Sequence, residues 1–88
     1  MELSFTSQIW KEGKVFVSYC PELDVSSCGE TFEEAKKNLL KAIKAFIKVT
    51  KEMGTLKEIL EEAGFLKIDQ KRWKAPELIS FEKQYLAI

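Results

Sequence analysis

The sequence contains no histidine, and its only aspartates are Asp24 and Asp69. Histidine is the side chain that most often carries general acid–base chemistry near neutral pH. Metal-assisted hydrolysis of phosphodiesters needs several carboxylates that converge on a hard cation, whereas most glutamates here fall in the first turns or on the outer faces of predicted helices. The composition therefore predicts no catalytic residue, no metal ligand, no cofactor and no enzyme.

Cysteine is equally scarce, with only Cys20 and Cys28. Without histidine, two cysteines supply half of the four ligands of a structural zinc site. A nucleophilic cysteine needs a base beside it, and no such partner is visible, so Cys28 is interpreted as a small, half-buried strand residue. The two residues do not make a disulfide framework and are expected to be free thiols.

Long apolar runs and an excess of one charge are also missing. No stretch approaches the ~20 apolar residues that cross a bilayer, and residues 1–10 lack the pattern of a signal peptide. We therefore expect a cytoplasmic protein with no membrane partner. Fourteen basic and fourteen acidic residues cancel, so net charge gives no general attraction to nucleic acid.

The length of 88 residues predicts a single domain that covers residues 1–88. A domain of this size buries only about 60–65% of the surface that its unfolded chain exposes. Its stability margin is thin, and self-association would remove further apolar area from water. A homodimer or a higher homo-oligomer is therefore expected.

Three strands are predicted in the first third of the chain. Residues 3–10 alternate between apolar and polar side chains, and residues 14–20 are rich in β-branched and aromatic side chains. Glu12-Gly13 is typical of a hairpin turn between them. Residues 21–24 interrupt the second strand, and residues 25–28 form a third strand antiparallel to it.

A long amphipathic helix follows. Thr31 and Glu34 form a T-x-x-E capping box, in which each side chain accepts a hydrogen bond from the other residue's amide. Gly29, two residues before the cap, is expected to adopt a positive φ in a tight turn. Eight apolar side chains fall within about 120° of arc and predict a core-facing stripe. They are Phe32, Ala35, Leu39, Ala42, Ile43, Phe46, Val49 and Met53.

A short second helix is predicted between two glycines. Gly54 ends the first helix, Thr55 and Glu58 repeat the capping box, and Gly64 ends the second helix. Residues 67–74 are interpreted as a polar loop, and residues 78–88 alternate as a fourth strand. The predicted fold is α+β, a small and mostly antiparallel sheet with a helical hairpin on one face, in the order β-β-β-α-α-β.

Two basic clusters are candidate binding surfaces for a partner or a nucleic acid. The first is a row of lysines at 4-3-4-3 spacing on the first helix, almost opposite the apolar stripe; this lysine stripe consists of Lys37, Lys41, Lys44, Lys48 and Lys51. The second lies in the predicted loop, where Lys67, Lys71, Arg72 and Lys74 surround Trp73. Basic side chains can bind the phosphates of a nucleic acid, and an aromatic ring among them can stack on the bases of a single strand. The alternative is an ordinary solvated helix face and a loop whose Trp covers the core.

The hairpin also offers a candidate oligomer face. If the helices cover one side of the sheet, a group of apolar side chains on its other side remains for another chain to bury. These side chains are Trp10, Val15, Val17 and Tyr19.

The order and spacing of these residues resemble the HicB-like antitoxin family. The shared pattern is a hairpin that ends in P-E-L, a short strand, then G-[DE]-T-x-x-E-A and an amphipathic helix; it covers roughly residues 5–65, with Pro21-Glu22-Leu23, Gly29-Glu30-Thr31 and Glu34-Ala35 at its centre. The resemblance implies a partial RNase H-like fold without nuclease activity. Only about twenty residues follow the second helix, so the chain resembles the short, single-domain members, which lack the appended DNA-binding domain of full antitoxins and include orphans without a toxin.

Members of this family typically neutralise HicA, a small basic toxin that cleaves mRNA, by occluding its surface, and many oligomerise. The resemblance therefore implies a non-enzymatic antitoxin or orphan regulator with a HicA-like partner. Its shared motif is structural, so it transfers no functional residue. Because a basic toxin would be repelled by the lysine stripe, we expect contact at the sheet edge, at residues 21–30 or at Glu58, Glu61 and Glu62. The alternative is a small RNA- or DNA-binding module that uses the lysine stripe and the Trp73 loop.

Overall fold

The computed structural model describes all 88 residues, which form two three-stranded sheets and two helices. The strands are β1 (Glu2–Leu3), β2 (Gln8–Glu12), β3 (Val15–Cys20), β4 (Val25–Gly29), β5 (Leu66–Lys67) and β6 (Arg72–Lys74), and the helices are α1 (Phe32–Glu52) and α2 (Leu56–Glu62). The structure confirms the predicted α+β class and the succession of strands, two helices and a final β unit.

The larger sheet is an antiparallel meander in the order β2-β3-β4. Its register pairs Trp10 with Val17 and Val17 with Cys28, so these three side chains share one face. α1 packs on the opposite face, where the fully buried Ser18 hydroxyl donates to the Ala35 carbonyl at 2.8 Å. This bond satisfies a polar side chain that is fully buried between helix and sheet. A buried hydroxyl without a partner would be destabilising.

The smaller sheet has the order β1-β6-β5, with β1 parallel to β6. The prediction of one strand over residues 3–10 is therefore wrong, since the chain leaves the small sheet after Leu3 and enters the meander at Gln8. Between them the Thr6 amide and hydroxyl donate to the Glu22 carboxylate, at 2.9 and 2.6 Å. These bonds tie the crossing segment to the β3–β4 turn instead of to a neighbouring strand.

Residues 67–74 are not the predicted loop but contain most of the β5–β6 hairpin. Its turn is closed by Asp69, whose carboxylate accepts from the amides of Lys71 and Arg72 and forms an ion pair with the Arg72 guanidinium at 2.8 Å. These hydrogen bonds lower the pKa of Asp69 below its usual value. Asp side chains stabilise tight turns by accepting hydrogen bonds from backbone amides two or three residues further on. This explains why a segment of polar composition forms a hairpin here.

The predicted strand over residues 78–88 does not form, because residues 75–88 contain neither helix nor strand. The chain's last β unit is instead the β5–β6 hairpin, next to β1. The alternation of apolar and polar side chains was not sufficient for a strand, because residues 78–88 have no neighbouring strand to pair with in this chain.

The entry to α1 confirms one half of the predicted capping box. Thr31 accepts from the Glu34 amide at 3.0 Å, but the reciprocal bond to the Glu34 carboxylate is absent. The expectation of a positive φ at Gly29 is wrong. Gly29 is required for a different reason, since a Cβ at this position would lie 2.6 Å from the Ala35 amide nitrogen. The start of α1 thus lies directly against the end of β4.

The predicted apolar stripe is buried only in part. Ala35, Leu39 and Ile43 are buried, whereas Phe32, Val49 and Met53 are exposed. A helix of 21 residues is about 31 Å long while a five-residue strand spans about 17 Å, so α1 extends past the sheet. Near the end of α1 the buried residue is Thr50. Its hydroxyl donates to the Phe46 carbonyl at 2.8 Å.

Both helices end just before the predicted glycines. Gly54 and Gly64 have φ of 75° and 89°, the left-handed conformation that favours glycine. The second capping box does not form, because Thr55 makes no side-chain cap and its hydroxyl donates to the Thr50 carbonyl. A small core joins both sheets and both helices; it consists of Cys20, Leu23, Leu39, Ile43, Leu56, Leu60, Phe65 and Trp73.

Candidate functional site

The lysine stripe is a continuous basic surface. All five side chains are exposed on the face of α1 that points away from the core, and none of them forms an ion pair. The only salt bridge of the chain joins Arg72 to Asp69. Positive charge along α1 is therefore not neutralised within the protein.

The structure places one end of the lysine stripe beside part of the second basic cluster. Lys51 and Lys67 line a cavity of about 270 Å³ together with Lys57, which the sequence analysis did not single out. Its floor is apolar and includes Trp73 and Leu60. Only the tertiary structure could reveal this group, because Lys51, Lys57 and Lys67 belong to α1, α2 and β5.

Trp73 and its neighbours do not form one exposed cluster. The indole is 8% exposed and belongs to the core, with the Lys67 ammonium 5.9 Å from its ring centre. Lys71 and Arg72 line a separate hollow that also contains Asp69. This segment consequently offers charged groups to solvent, without an exposed aromatic ring beside them.

The candidate oligomer face is on the side of the meander that α1 does not cover. Trp10 pairs with Val17, and the register places Val15 and Tyr19 on the same face, which we call the outer face. Trp10 and Val15 are exposed, and Val17 and Tyr19 are half-buried. The Phe81 ring lies 6.0 Å from the Trp10 ring, so the C-terminal segment, residues 78–88, contacts one corner of the outer face.

An acidic region that the sequence analysis did not recognise as a unit surrounds β4. Residues 15–35 contain five acidic side chains and no basic one. β4 is an edge strand, preceded directly by Asp24 and followed directly by Glu30. The signal that could have found this region is charge segregation along the chain, since every lysine of α1 follows Ala35.

The turn before β4 is held in a defined conformation. The Tyr19 hydroxyl donates to the Asp24 carboxylate at 2.8 Å, and this bond raises the pKa of Tyr19. Burial on its own would raise the pKa of Glu22, but the hydrogen bonds donated by Thr6 outweigh it and the pKa lies below its usual value. The two carboxylates are thereby fixed at the entrance to the edge strand.

The exposed edge of β4 is only partly occupied. The Asn38 side chain donates to the Cys28 carbonyl at 2.8 Å, which covers one acceptor of the strand from the side of α1. Edge strands present unpaired backbone groups that a partner chain can use. The β4 edge of the sheet and the 21–30 connection, which belong to two of the three expected contact regions, therefore form one surface; the third region is the exposed glutamates of α2.

The two cysteines are free, as expected. Burial raises the pKa of Cys20 to about 11, and its thiol lies 3.4 Å from the Glu22 carboxylate, to which it donates. Cys28 is exposed on the outer face. No three side chains of the metal-binding types come together.

Neither helix combines the length and the apolar character needed to cross a bilayer. No family model, no curated protein and no solved structure matches this chain.

Proposed function

We propose that this chain acts as a HicB-like antitoxin or orphan regulator, a cytoplasmic homo-oligomer that binds a partner rather than catalysing a reaction. The proposed partner is a small basic mRNA-cleaving toxin of the HicA type, whose surface the chain occludes. The observation that carries this proposal is the acidic edge strand: β4 has a free edge, and Asp24 and Glu30 flank it. A partial RNase H-like arrangement is part of the same proposal.

Charge complementarity favours this edge over the rest of the surface. A basic partner would be repelled by the lysine stripe and attracted by residues 15–35, which carry only negative charges. An added strand on β4 would gain backbone hydrogen bonds as well as this attraction. The Gly29–Ala35 contact and the Thr31 cap support the same mode of binding, because they hold β4 firmly against α1.

The test is neutralisation of a HicA-like toxin by co-expression. The chain is expected to restore growth, and the double variant Asp24→Lys with Glu30→Lys is expected to lose rescue and to bind the toxin at least ~100-fold more weakly, because close charge pairs at interfaces couple by about 1.5–7 kcal/mol. Growth and titration calorimetry measure the two effects.

The matched control is Glu61→Lys with Glu62→Lys, which reverses two exposed charges on α2. This variant is expected to neutralise the toxin normally. If only the control variant lost rescue, the toxin contact would lie on α2 and not at the β4 edge. If the unaltered chain bound no toxin, the antitoxin proposal would be contradicted.

A second candidate function rests on the unpaired lysine stripe and the three lysines around the 270 Å³ cavity. If these groups bind RNA, the affinity for a single-stranded RNA should fall steeply with salt. Replacing Lys41, Lys44 and Lys48 with Gln should then reduce the slope of log K against log[salt] by about 2. The absence of binding at low salt would contradict this function.

A further inference from the structure

The C-terminal segment is unusually apolar for a segment without secondary structure. Six large apolar side chains between residues 78 and 88 are more than half exposed, and Tyr85 and Ile88 are completely so, at 101% and 111%. No residue after Ala75 takes part in a backbone–backbone hydrogen bond. The exposed residues are Leu78, Ile79, Phe81, Tyr85, Leu86 and Ile88.

The C-terminal segment lies next to an unpaired strand edge. β2 is one of the two edge strands of the meander, and Leu78 and Phe81 line a cavity of about 310 Å³ together with residues 6–10. Phe81 and Lys83 both approach the Trp10 ring, at 6.0 Å. The segment therefore reaches the correct place for strand addition but does not pair there.

The dimensions of the chain indicate a missing partner. A folded monomer of 10.2 kDa typically exposes about 5,300 Å², whereas this chain exposes 6986 Å². Its radius of gyration is 14.9 Å, against about 12 Å for a compact domain of this length. The excess of about 1,700 Å² is larger than the roughly 800 Å² that each partner contributes to a standard interface.

We propose that the C-terminal segment of each chain adds as a strand to the free edge of β2 in a second copy, in a reciprocal exchange. Alternation places Ile79, Phe81 and Tyr85 on one side of such a strand, where they can continue the apolar outer face. The exchange pairs both β2 edges and covers both C-terminal segments at once, in a self-complementary twofold interface.

A second copy is the occupant that fits these observations. The formal net charge is zero, so two copies do not repel each other. Within one chain, the segment passes Trp10 and leaves Tyr85 and Ile88 in solvent, with no surface of the same chain covering them. Only 12 of 88 residues are buried, so the single domain gains from an added apolar interface. This inference does not depend on toxin binding.

The first test measures the mass in solution by sedimentation equilibrium over the micromolar range. The unaltered chain is expected to have twice the mass of the 10.2 kDa protomer. Phe81→Lys with Tyr85→Lys should raise the dissociation constant on the order of 100-fold, since aromatic anchors dominate such interfaces. Because neither side chain is buried within one chain, the variant should stay folded and keep the helical signal of α1 and α2 in its far-UV circular dichroism spectrum.

The matched control is Val49→Lys with Met53→Lys, which adds the same charge at two exposed apolar residues in the last turn of α1 and at its C-cap. It is expected to remain dimeric. A monomeric unaltered chain, or a dimer that the α1 variant disrupts and the C-terminal variant does not, would overturn the proposal.

A second test distinguishes exchange from docking within one chain. In a Cys28→Ser background, chains with Trp10→Cys are mixed with chains with Phe81→Cys under mild oxidation. Cys20 is buried and its thiol stays protonated, so it should not interfere. Exchange predicts disulfide-linked pairs between the two variants. A disulfide that forms only within a chain carrying both substitutions would overturn it.

Discussion

Replacing Leu39 with alanine is expected to destabilise the folded chain by about 3–4 kcal/mol. Leu39 is 1% exposed and is among the largest fully buried side chains of the core. The substitution removes apolar burial and leaves a cavity that the α1–sheet contact cannot close without shifting the helix. In a chain of this size the melting temperature should fall on the order of 15–20 °C, measured by thermal and urea unfolding.

Leu40→Ala is the matched control, one residue further along the same helix. Leu40 is 44% exposed, so the same chemical change should cost no more than about 1 kcal/mol. Equal losses at the two positions would contradict the orientation of α1 described above. The comparison separates burial from helix propensity, because both substitutions alter propensity in the same way.

Gly29→Ala is expected to destabilise the chain by about 2–3 kcal/mol, a large effect for one added methyl group. The new Cβ would lie 2.6 Å from the Ala35 amide nitrogen and 2.9 Å from two atoms of Glu34. The first contact is with helix backbone, which cannot rotate away as a side chain does. The start of α1 would have to move off β4, so urea unfolding should show the loss.

Gly13→Asn provides the control for this prediction. Gly13 has a φ of 61° in the β2–β3 turn, and a Cβ there meets nothing within 4 Å. Asparagine tolerates the left-handed conformation better than other side chains, so the loss should stay below about 1 kcal/mol. A neutral Gly29→Ala variant would show that β4 and α1 are not in close contact.

Local features were the predictable part of this fold. The second and third predicted strands and the two helices follow from alternation, from helical periodicity and from a cap at Thr31, all of which act over a few residues. The shared face of Trp10 and Val17 also follows from local geometry, since a hairpin turn sets the register of its own two strands. The lysine stripe needs only the period of a helix.

Features that join distant residues were not predictable from these signals. The small sheet pairs Leu3 with Trp73, and nothing in either segment specifies a partner seventy residues away. The sequence predicts a turn conformation with a positive φ at Gly29, whereas the role of this glycine is to let α1 approach β4. The spacing of Thr55 to Glu58 predicts a cap, but the Thr55 hydroxyl donates to the Thr50 carbonyl instead.

The structure of the C-terminal segment was also not predictable from local pattern. Its alternation is that of a strand, yet strands are stabilised by neighbours, and none pairs with residues 78–88 within this chain. The sequence alone determined the two helices, the antiparallel strands from residue 15 to residue 29 and where charge collects along the chain, because these depend on neighbouring residues. The tertiary structure alone decided which edges stay open and that lysines of α1, α2 and β5 share a cavity, because these depend on packing between elements far apart in sequence.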